Sequence, residues 1–420
     1  MSRLPVLLAA LLLLAAPVAA FGGATDAAPF TGSAEAATTA PAANAATANT
    51  TNVLRLGDPN AAGFTTTGPT VTVTVGAASA SFDGRYATYG FESRWAAAST
   101  DAERLAVIRN ATDAAANRTA AIAADEAAAR EAYVEGELSA AALVHRVALD
   151  SARADALATY IATLREHAGE LSDENAAVAR DRLTALRGEL AAYGVGTGES
   201  LHAELGDAIA GERAPMRVYV AASPSGLSLA ALDDDTYYHT TYRVDNYDAV
   251  PASNVDLGAF LDSLERLYPT TTNLSSSNGG FRSFSAPADA HLYRAVLGYN
   301  RGSDAQSTLV VYFDPSTDSV YREDKRLATA DIVTGAAVTR TQGPVTLAVN
   351  RTYAGGPLRV AVYNDAGDPL DATVRVNGTT VGTTDPDTGV VWALAPSGGY
   401  NVTAEHDGTT VTLDTSAASA

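Results

Sequence analysis

The 420 residues include no cysteine, a single lysine (Lys325), two methionines and two tryptophans. Without cysteine there are no disulfides, thiolate metal sites or cysteine nucleophiles, so a chain of this length must rely on buried cores alone. The strings Gly-x-Ser-x-Gly and His-Glu-x-x-His are absent, which removes the sequence marks of an α/β-hydrolase serine and of a zinc peptidase. There is no phosphate loop either, since Lys325 follows Asp324 rather than a glycine. Gly194-Val195-Gly196-Thr197-Gly198 is glycine-rich but lacks the closing spacing of a dinucleotide fingerprint and follows no strand, so it is read as a linker. Pairs of Asp and Glu are too numerous to single out a glycosidase dyad. No catalytic residue, cofactor site or metal ligand is nominated.

Basic charge is also scarce. Against 48 Asp and Glu stand 28 Lys and Arg, a formal charge of −20. Such a surface repels nucleic acid backbones. Acid excess with almost no lysine, combined with abundant Ala, Thr, Asp and Gly, is similar to proteins of extreme halophiles. In molar salt the screening length falls to about 3 Å, so scattered carboxylates act through hydration rather than through long-range fields. An acidic face built for calcium or a basic ligand is the competing reading, and the even spread of the carboxylates disfavours it.

The longest apolar run lies at the start: Arg3, then Leu4 to Ala16, Pro17, and Val18-Ala19-Ala20 before Phe21. This is the pattern of a Sec-type signal peptide over 1–20, with cleavage expected after Ala20; an uncleaved anchor is the alternative. No later segment has the length and hydrophobicity to span a bilayer. Seven Asn-x-Ser/Thr acceptors follow, at Asn49, Asn110, Asn117, Asn273, Asn350, Asn377 and Asn401, and their coincidence with an export signal points outside the cell. Residues 21–52 are almost only small and polar, the composition of a disordered linker.

Val53 to Leu56 and the alternation Thr70 to Val75 predict two strands, hence a small β region over 53–92. From 93 to 213 an Ala-rich, Arg/Glu-dotted pattern predicts an antiparallel helical bundle or hairpin of three main helices and a short fourth, broken at Gly136, near Gly169 and across Gly194 to Gly198. Ala179, Leu183, Leu186, Leu190 and Tyr193 form the clearest heptad seam. An earlier seam through Leu105, Ile108, Ala115, Ile122 and Ala129 is interrupted by Thr112, Thr119 and Glu126; it places Asn110 and Asn117 at the outermost heptad position. His145 and His167 are read as interhelical or boundary residues, because neither has a second His at metal-binding spacing.

The segment 214–340 alternates strands with one amphipathic helix (Leu257 to Tyr268) and is read as an α+β domain. In Asp233 to Arg243, carboxylates, aromatics and His239 crowd together, which makes Tyr237, Tyr238 and Tyr242 the candidate binding residues. The segment 345–415 predicts seven strands, with Asn377-Gly378 as the strongest hairpin turn, and so a β-sandwich. Its pattern Gly367 to Val374, Val381 to Asp385, Gly389, Trp392 and Pro396 to Ala404 resembles carboxypeptidase-regulatory-like or bacterial Ig-like modules, which are accessories rather than catalysts in their families. The body, with Asn52 to Leu56, Tyr133 to Leu138, Met216 to Val220 and Thr308 to Arg322, resembles a haloarchaeal family of exported proteins of unknown function. That resemblance implies export and domain order but no activity.

The fold class expected is therefore multidomain α+β. The function expected is a non-catalytic exported surface or envelope protein, with envelope proteins or glycans as partners, no cofactor, and an oligomeric state that the sequence does not specify. A ligand- or peptide-binding module, or a hydrolase with an unrecognised site, is the alternative.

Overall fold

The computed structural model describes residues 53–57, 61–172, 174–195, 200–233, 235–248, 257–268, 279–285, 292–299 and 307–415. The leader, the linker, Asn49 and Asn273 lie outside them. The described residues all fall within one compact unit, Ala45–Ala420.

Five helices follow one short strand: α1 (Val71–Ala97), α2 (Asp101–Val134), α3 (Ala140–Gly169), α4 (Glu174–Leu190) and α5 (Leu201–Ala210). α2 starts on a capping box, in which the Glu103 amide donates to Thr100 Oγ1 (3.2 Å) and the Thr100 amide to Glu103 Oε2 (3.1 Å); two otherwise unpaired donors are satisfied together. Its buried stripe is Ile108, Thr112, Ala115, Thr119, Ile122, Glu126, Ala129 and Tyr133. The seam thus runs straight through the three polar residues that interrupt it in sequence. Thr112 and Thr119 stay buried because their hydroxyls donate back to the carbonyls of Ile108 (2.9 Å) and Ala115 (3.1 Å). The stripe expected in α4 and the turn after it is buried throughout.

The middle layer is an eight-stranded antiparallel sheet made of β1 (Ala61–Thr66), β2 (Arg217–Ser223), β3 (Gly226–Asp233), β4 (Thr236–Arg243), β5 (Gly279–Ser285), β6 (Tyr293–Tyr299), β7 (Ser307–Asp314) and β8 (Ser319–Ala328). Its order is β1-β2-β3-β4-β8-β7-β6-β5. One face shares a continuous core with the helices, in which Val218, Val220, Leu229 and Tyr312 join Ile108, Leu143 and Leu183. On the other face α6 (Leu257–Leu267) sets Phe260 and Leu264 against Leu309, Val311 and Phe313. Beside it Leu394 of the C-terminal module packs with Tyr219, Tyr237 and Leu327.

That module is a sandwich of two four-stranded sheets, β14-β11-β10-β9 and β13-β12-β15-β16, where β9 is Ala337–Gln342, β10 Val345–Asn350, β11 Pro357–Tyr363, β12 Thr373–Val376, β13 Thr379–Thr383, β14 Val390–Leu394, β15 Asn401–His406 and β16 Thr409–Asp414. Asn377 (φ 48°) and Gly378 (φ 77°) make the hairpin turn as expected.

The structure corrects three boundaries. Thr70 to Val75 is not a strand: Val71–Ala97 is helical, with Val73 buried while Val71 and Val75 face outward. A Thr/Val alternation fits either element, and packing decides for the helix. A Cβ on Gly76 would lie 2.9 Å from Leu149 Cδ1 and one on Gly84 3.0 Å from Ala156 Cβ, so these glycines let α1 lie close against α3. Val53 to Leu56 forms no strand either, but crosses the sheet face with Val53, Leu54 and Leu56 buried. Finally, β9 reaches back to Ala337, so the sandwich begins before 340.

Within the bundle, the Asp150 side chain is fully buried 3.1 Å from Arg153, and its Oδ2 makes no hydrogen bond. Burial pushes this carboxyl up to about 6 from 3.8, against the pull of Arg153 and Arg146. The sign follows from linkage. A folded pKa above the unfolded one means that the ionised group costs stability above about pH 6, and that the cost fades as pH falls towards 4. Asp150→Asn is therefore expected to stabilise the protein by about 1–2 kcal/mol at pH 8 and to have little effect at pH 4. Urea unfolding in molar salt at the two pH values measures it; equal effects at both would contradict the assignment.

Candidate functional site

Five charged residues follow one another in β8, Arg322 to Arg326, and the first four, Arg322, Glu323, Asp324 and Lys325, are buried at the centre of the sheet. A strand sends successive side chains to opposite faces, so the run divides in two. A bulge sets the phase: Tyr312 pairs with Arg322 and Phe313 with Val320, which leaves Tyr321 as the extra residue.

Arg322 and Asp324 face the helices. Arg322 Nη2 lies 2.7 Å from Asp324 Oδ1 and 3.4 Å from His202 Nδ1, and Nη1 donates to the Ala191 carbonyl. Burial, and then the Arg322 charge, hold His202 well below its usual pKa, so it is a neutral imidazole.

Glu323 and Lys325 face the other way. Glu323 Oε2 accepts from the Leu54 amide (2.7 Å) and from the Tyr268 hydroxyl (2.6 Å). Its Oε1 accepts from Lys325 Nζ (2.7 Å) and lies 3.1 Å from His239 Nδ1. Burial alone would raise Glu323, but Lys325 and His239 outweigh it and hold the carboxyl at about 2. Burial pulls Lys325 below its ordinary value despite Glu323. The ammonium also lies 5.8 Å and 5.6 Å from the ring centres of Tyr268 and Tyr353, within reach of a cation–π attraction.

His239 carries the polar chain toward solvent. Its Nε2 is 3.1 Å from Ser228 Oγ and 3.2 Å from Thr241 Oγ1, and Thr241 donates to Ser228 Oγ at 2.8 Å. The Nδ1 contact with Glu323 is oblique, with no aligned hydrogen bond. Burial lowers the His239 pKa, which leaves the ring neutral at pH 7. Ser228 and His239 open into a cleft of about 250 Å³ walled by Leu54, Leu56, Tyr219 and Tyr353.

The candidate tyrosines are separated by the sheet and are all buried. Tyr242 donates to Glu126 Oε1 of α2, and Arg130 pairs with the other oxygen of the same carboxylate and with the Pro224 carbonyl (3.1 Å). Glu126 is thus the polar bolt between bundle and sheet, which is why it sits in the seam. Tyr238 belongs to the same core. Tyr237 points the opposite way, with its hydroxyl 3.1 Å from that of Tyr353 and 3.3 Å from the Gly355 carbonyl. They form no common ligand-facing surface, because strand alternation and the layers on both sides commit them to internal contacts.

The histidines sit at packing boundaries. His145 Nε2 is 3.3 Å from Thr70 Oγ1, and the His167 ring lies against Phe91 and Trp95. Asn110, Asn117, Asn377 and Asn401 are exposed, whereas Asn350 is half-buried and its Nδ2 donates to the Gly335 carbonyl at 2.9 Å. Among the described residues no helix is long and apolar enough to cross a membrane, and no group of three His, Asp or Glu side chains is placed to hold a metal.

Sequence reasoning overlooked the buried charges of β8. The available signal was the chain's one lysine within an Arg-Glu-Asp-Lys-Arg run flanked by Val320-Tyr321 and Leu327, since a polar run inside a strand pattern marks either an edge or a buried network.

Comparison with known proteins follows the same three-part division. Residues 1–208 match a domain of unknown function (DUF7096), residues 218–332 a family of unknown function (DUF7094), and residues 336–413 the archaeal fibronectin-III type-like domain. No curated protein and no solved structure matches the chain. The Ig-like sandwich expected from 345–415 is thus supported as a fold, through an archaeal fibronectin-III-like domain rather than a carboxypeptidase-regulatory one. The chain is similar, in series, to two domains of unknown function followed by an archaeal fibronectin-III-like β-sandwich.

Proposed function

We propose that the chain is a non-catalytic, exported and glycan-bearing protein of the surface or envelope of a salt-adapted archaeon, with a structural or interaction role. The observation that carries this reading is where its charged chemistry lies. Glu323 joins the 53–57 segment, the sheet and the residue after α6, Lys325 reaches the ring of Tyr353 in the C-terminal part, and Arg322 joins the sheet to the helices. The groups that an enzyme would turn toward substrate are used here to hold modules together, as suits a rigid display scaffold.

Intact-mass and glycopeptide mapping, on protein taken separately from envelope and medium of a halophilic host, tests this. A leader-cleaved form held in the envelope is expected, with glycans at Asn377 or Asn401 and none at Asn350, whose amide is engaged. Glycans at Asn110 or Asn117 would have to be added before folding, because the partner hydroxyls of Thr112 and Thr119 are buried in the seam. An unmodified form free in the medium would remove the main support for a surface role.

A second reading, an acyl hydrolase, is favoured by one constellation: Ser228, His239 and Glu323 in series at 3.1 Å and 3.1 Å, beside a cleft. In that reading Ser228 Oγ attacks an ester carbonyl carbon and its proton passes to His239, which then protonates the departing alcohol. Water releases the acyl group as a carboxylic acid by the same route, and the Glu323 carboxylate, 3.1 Å from Nδ1, supplies the charge that stabilises the imidazolium. A fluorophosphonate probe applied in molar salt should label Ser228 and fail on Ser228→Ala. A folded protein that takes up no label would end this reading and leave the first.

A further inference from the structure

The chain has one surface that neither reading uses. Nine large apolar side chains are exposed among the described residues, and five of them lie on α1: Val71 at 80 %, Val75 at 61 %, Phe82 at 68 %, Tyr86 at 70 % and Tyr89 at 70 %. With Ala78, also exposed, they recur at spacings of three and four residues, one stripe along a helix. The stripe points away from the bundle, since the opposite side of α1 holds Val73, Phe91 and Trp95 in the core and brings Gly76 and Gly84 against α3. α1 is therefore apolar on two opposite faces, and the bundle accounts for only one. A continuous exposed stripe of this kind marks an interaction surface.

Two features of α1 identify what covers it. The first is charge. α1 carries Asp83, Arg85, Glu92 and Arg94 and is neutral, within a chain of formal charge −20; two copies can meet here without stripping water from the unpaired carboxylates that other faces of so acidic a protein carry. The second is size. The first half of the stripe is small (Val71, Val75, Ala78) and the second half is bulky (Phe82, Tyr86, Tyr89). Paired antiparallel about a two-fold axis, each small half meets the other copy's bulky half, with Val71 opposite Tyr89, Val75 beside Tyr86 and Ala78 opposite Phe82. Parallel pairing would stack bulky on bulky and leave voids between the small ends. An isologous contact requires this kind of self-complementarity.

The geometry points to a homodimer in which α1 pairs antiparallel with α1 of a second copy. This contact is independent of whether the surface bears glycans or Ser228 reacts, and neither of those tests bears on it.

The test uses the full protein in molar salt. Sedimentation and light scattering across a concentration series should give twice the chain mass, and Phe82→Glu should weaken self-association by at least about 30-fold. Phe82 is exposed, so an unchanged far-UV spectrum and thermal midpoint would show that the variant folds. The absence of native cysteine makes orientation directly readable. Under oxidation, an equimolar mixture of Val71→Cys and Tyr89→Cys proteins should cross-link as the mixed pair, while each alone should stay uncross-linked. A monomer at every concentration would overturn the proposal and assign the stripe to a different chain or another segment of this one. A dimer indifferent to Phe82→Glu would overturn it too, and cross-linking of Val71→Cys with itself would overturn the antiparallel pairing.

Discussion

Replacing Arg322 with methionine is expected to cost about 3–5 kcal/mol of stability, among the largest losses any single substitution in this chain should cause. The guanidinium is fully buried, and its removal leaves Asp324 as a buried carboxylate without its partner and takes the Nη1 donor from the Ala191 carbonyl. An uncompensated charge in the interior costs more than the pair contributes. Arg322→Met/Asp324→Leu should therefore recover most of the loss, since the surroundings are largely apolar and the two side chains can be replaced at similar volume. Urea midpoints in molar salt for both singles and the double give the coupling energy. If the double variant is as unstable as the sum of the singles, the pair is not the unit that matters and the bond to Ala191 must be.

Loss of the Glu323 charge should be of similar size and should have a pH signature. Glu323→Gln leaves the Lys325 ammonium buried without its counter-charge, at an expected cost of about 3–5 kcal/mol at neutral pH. Because the folded carboxyl titrates near 2 rather than at the ordinary 4.5, its stabilisation is complete above about pH 4.5 and disappears as pH falls toward 2. On its own it is worth on the order of 3 kcal/mol. The lysine acts in the opposite sense: its depressed pKa means that the buried ammonium costs stability at neutral pH, a cost relieved only as pH rises past its folded value. Lys325→Met should consequently be milder than Glu323→Gln, since Glu323 keeps the Leu54 amide, Tyr268 and His239. Acid unfolding curves check this: the wild type should lose stability between pH 4.5 and 2, and Glu323→Gln should lack that portion. A Lys325→Met variant worse than Glu323→Gln would reverse the assignment of roles within the pair.

Much of the architecture was legible because it rests on local periodicity. The α4 seam, the Asn377-Gly378 turn and seven strands of the sandwich each follow from residue spacing over one element. The α2 seam shows the edge of that legibility. Its register could be read, yet Glu126 looked like a flaw because the partner that explains it, Tyr242, is 116 residues away. Failures came where one pattern fits two elements, as in Thr70 to Val75, or where a strand lacks its alternation, as in β9, whose side chains are mostly exposed.

The sequence by itself determined that the chain has no thiol chemistry, carries an excess of acidic charge, breaks its helices at Gly136 and near Gly169, and ends in an antiparallel sandwich. These depend on composition and on contacts a few residues apart. Only the tertiary structure decided which charges are buried, that Tyr237 and Tyr242 face opposite layers, that Ser228, His239 and Glu323 meet, and that α1 keeps one apolar face outward. Each of those depends on which side of a shared sheet or bundle a residue falls, and that is fixed by packing between segments up to 269 residues apart.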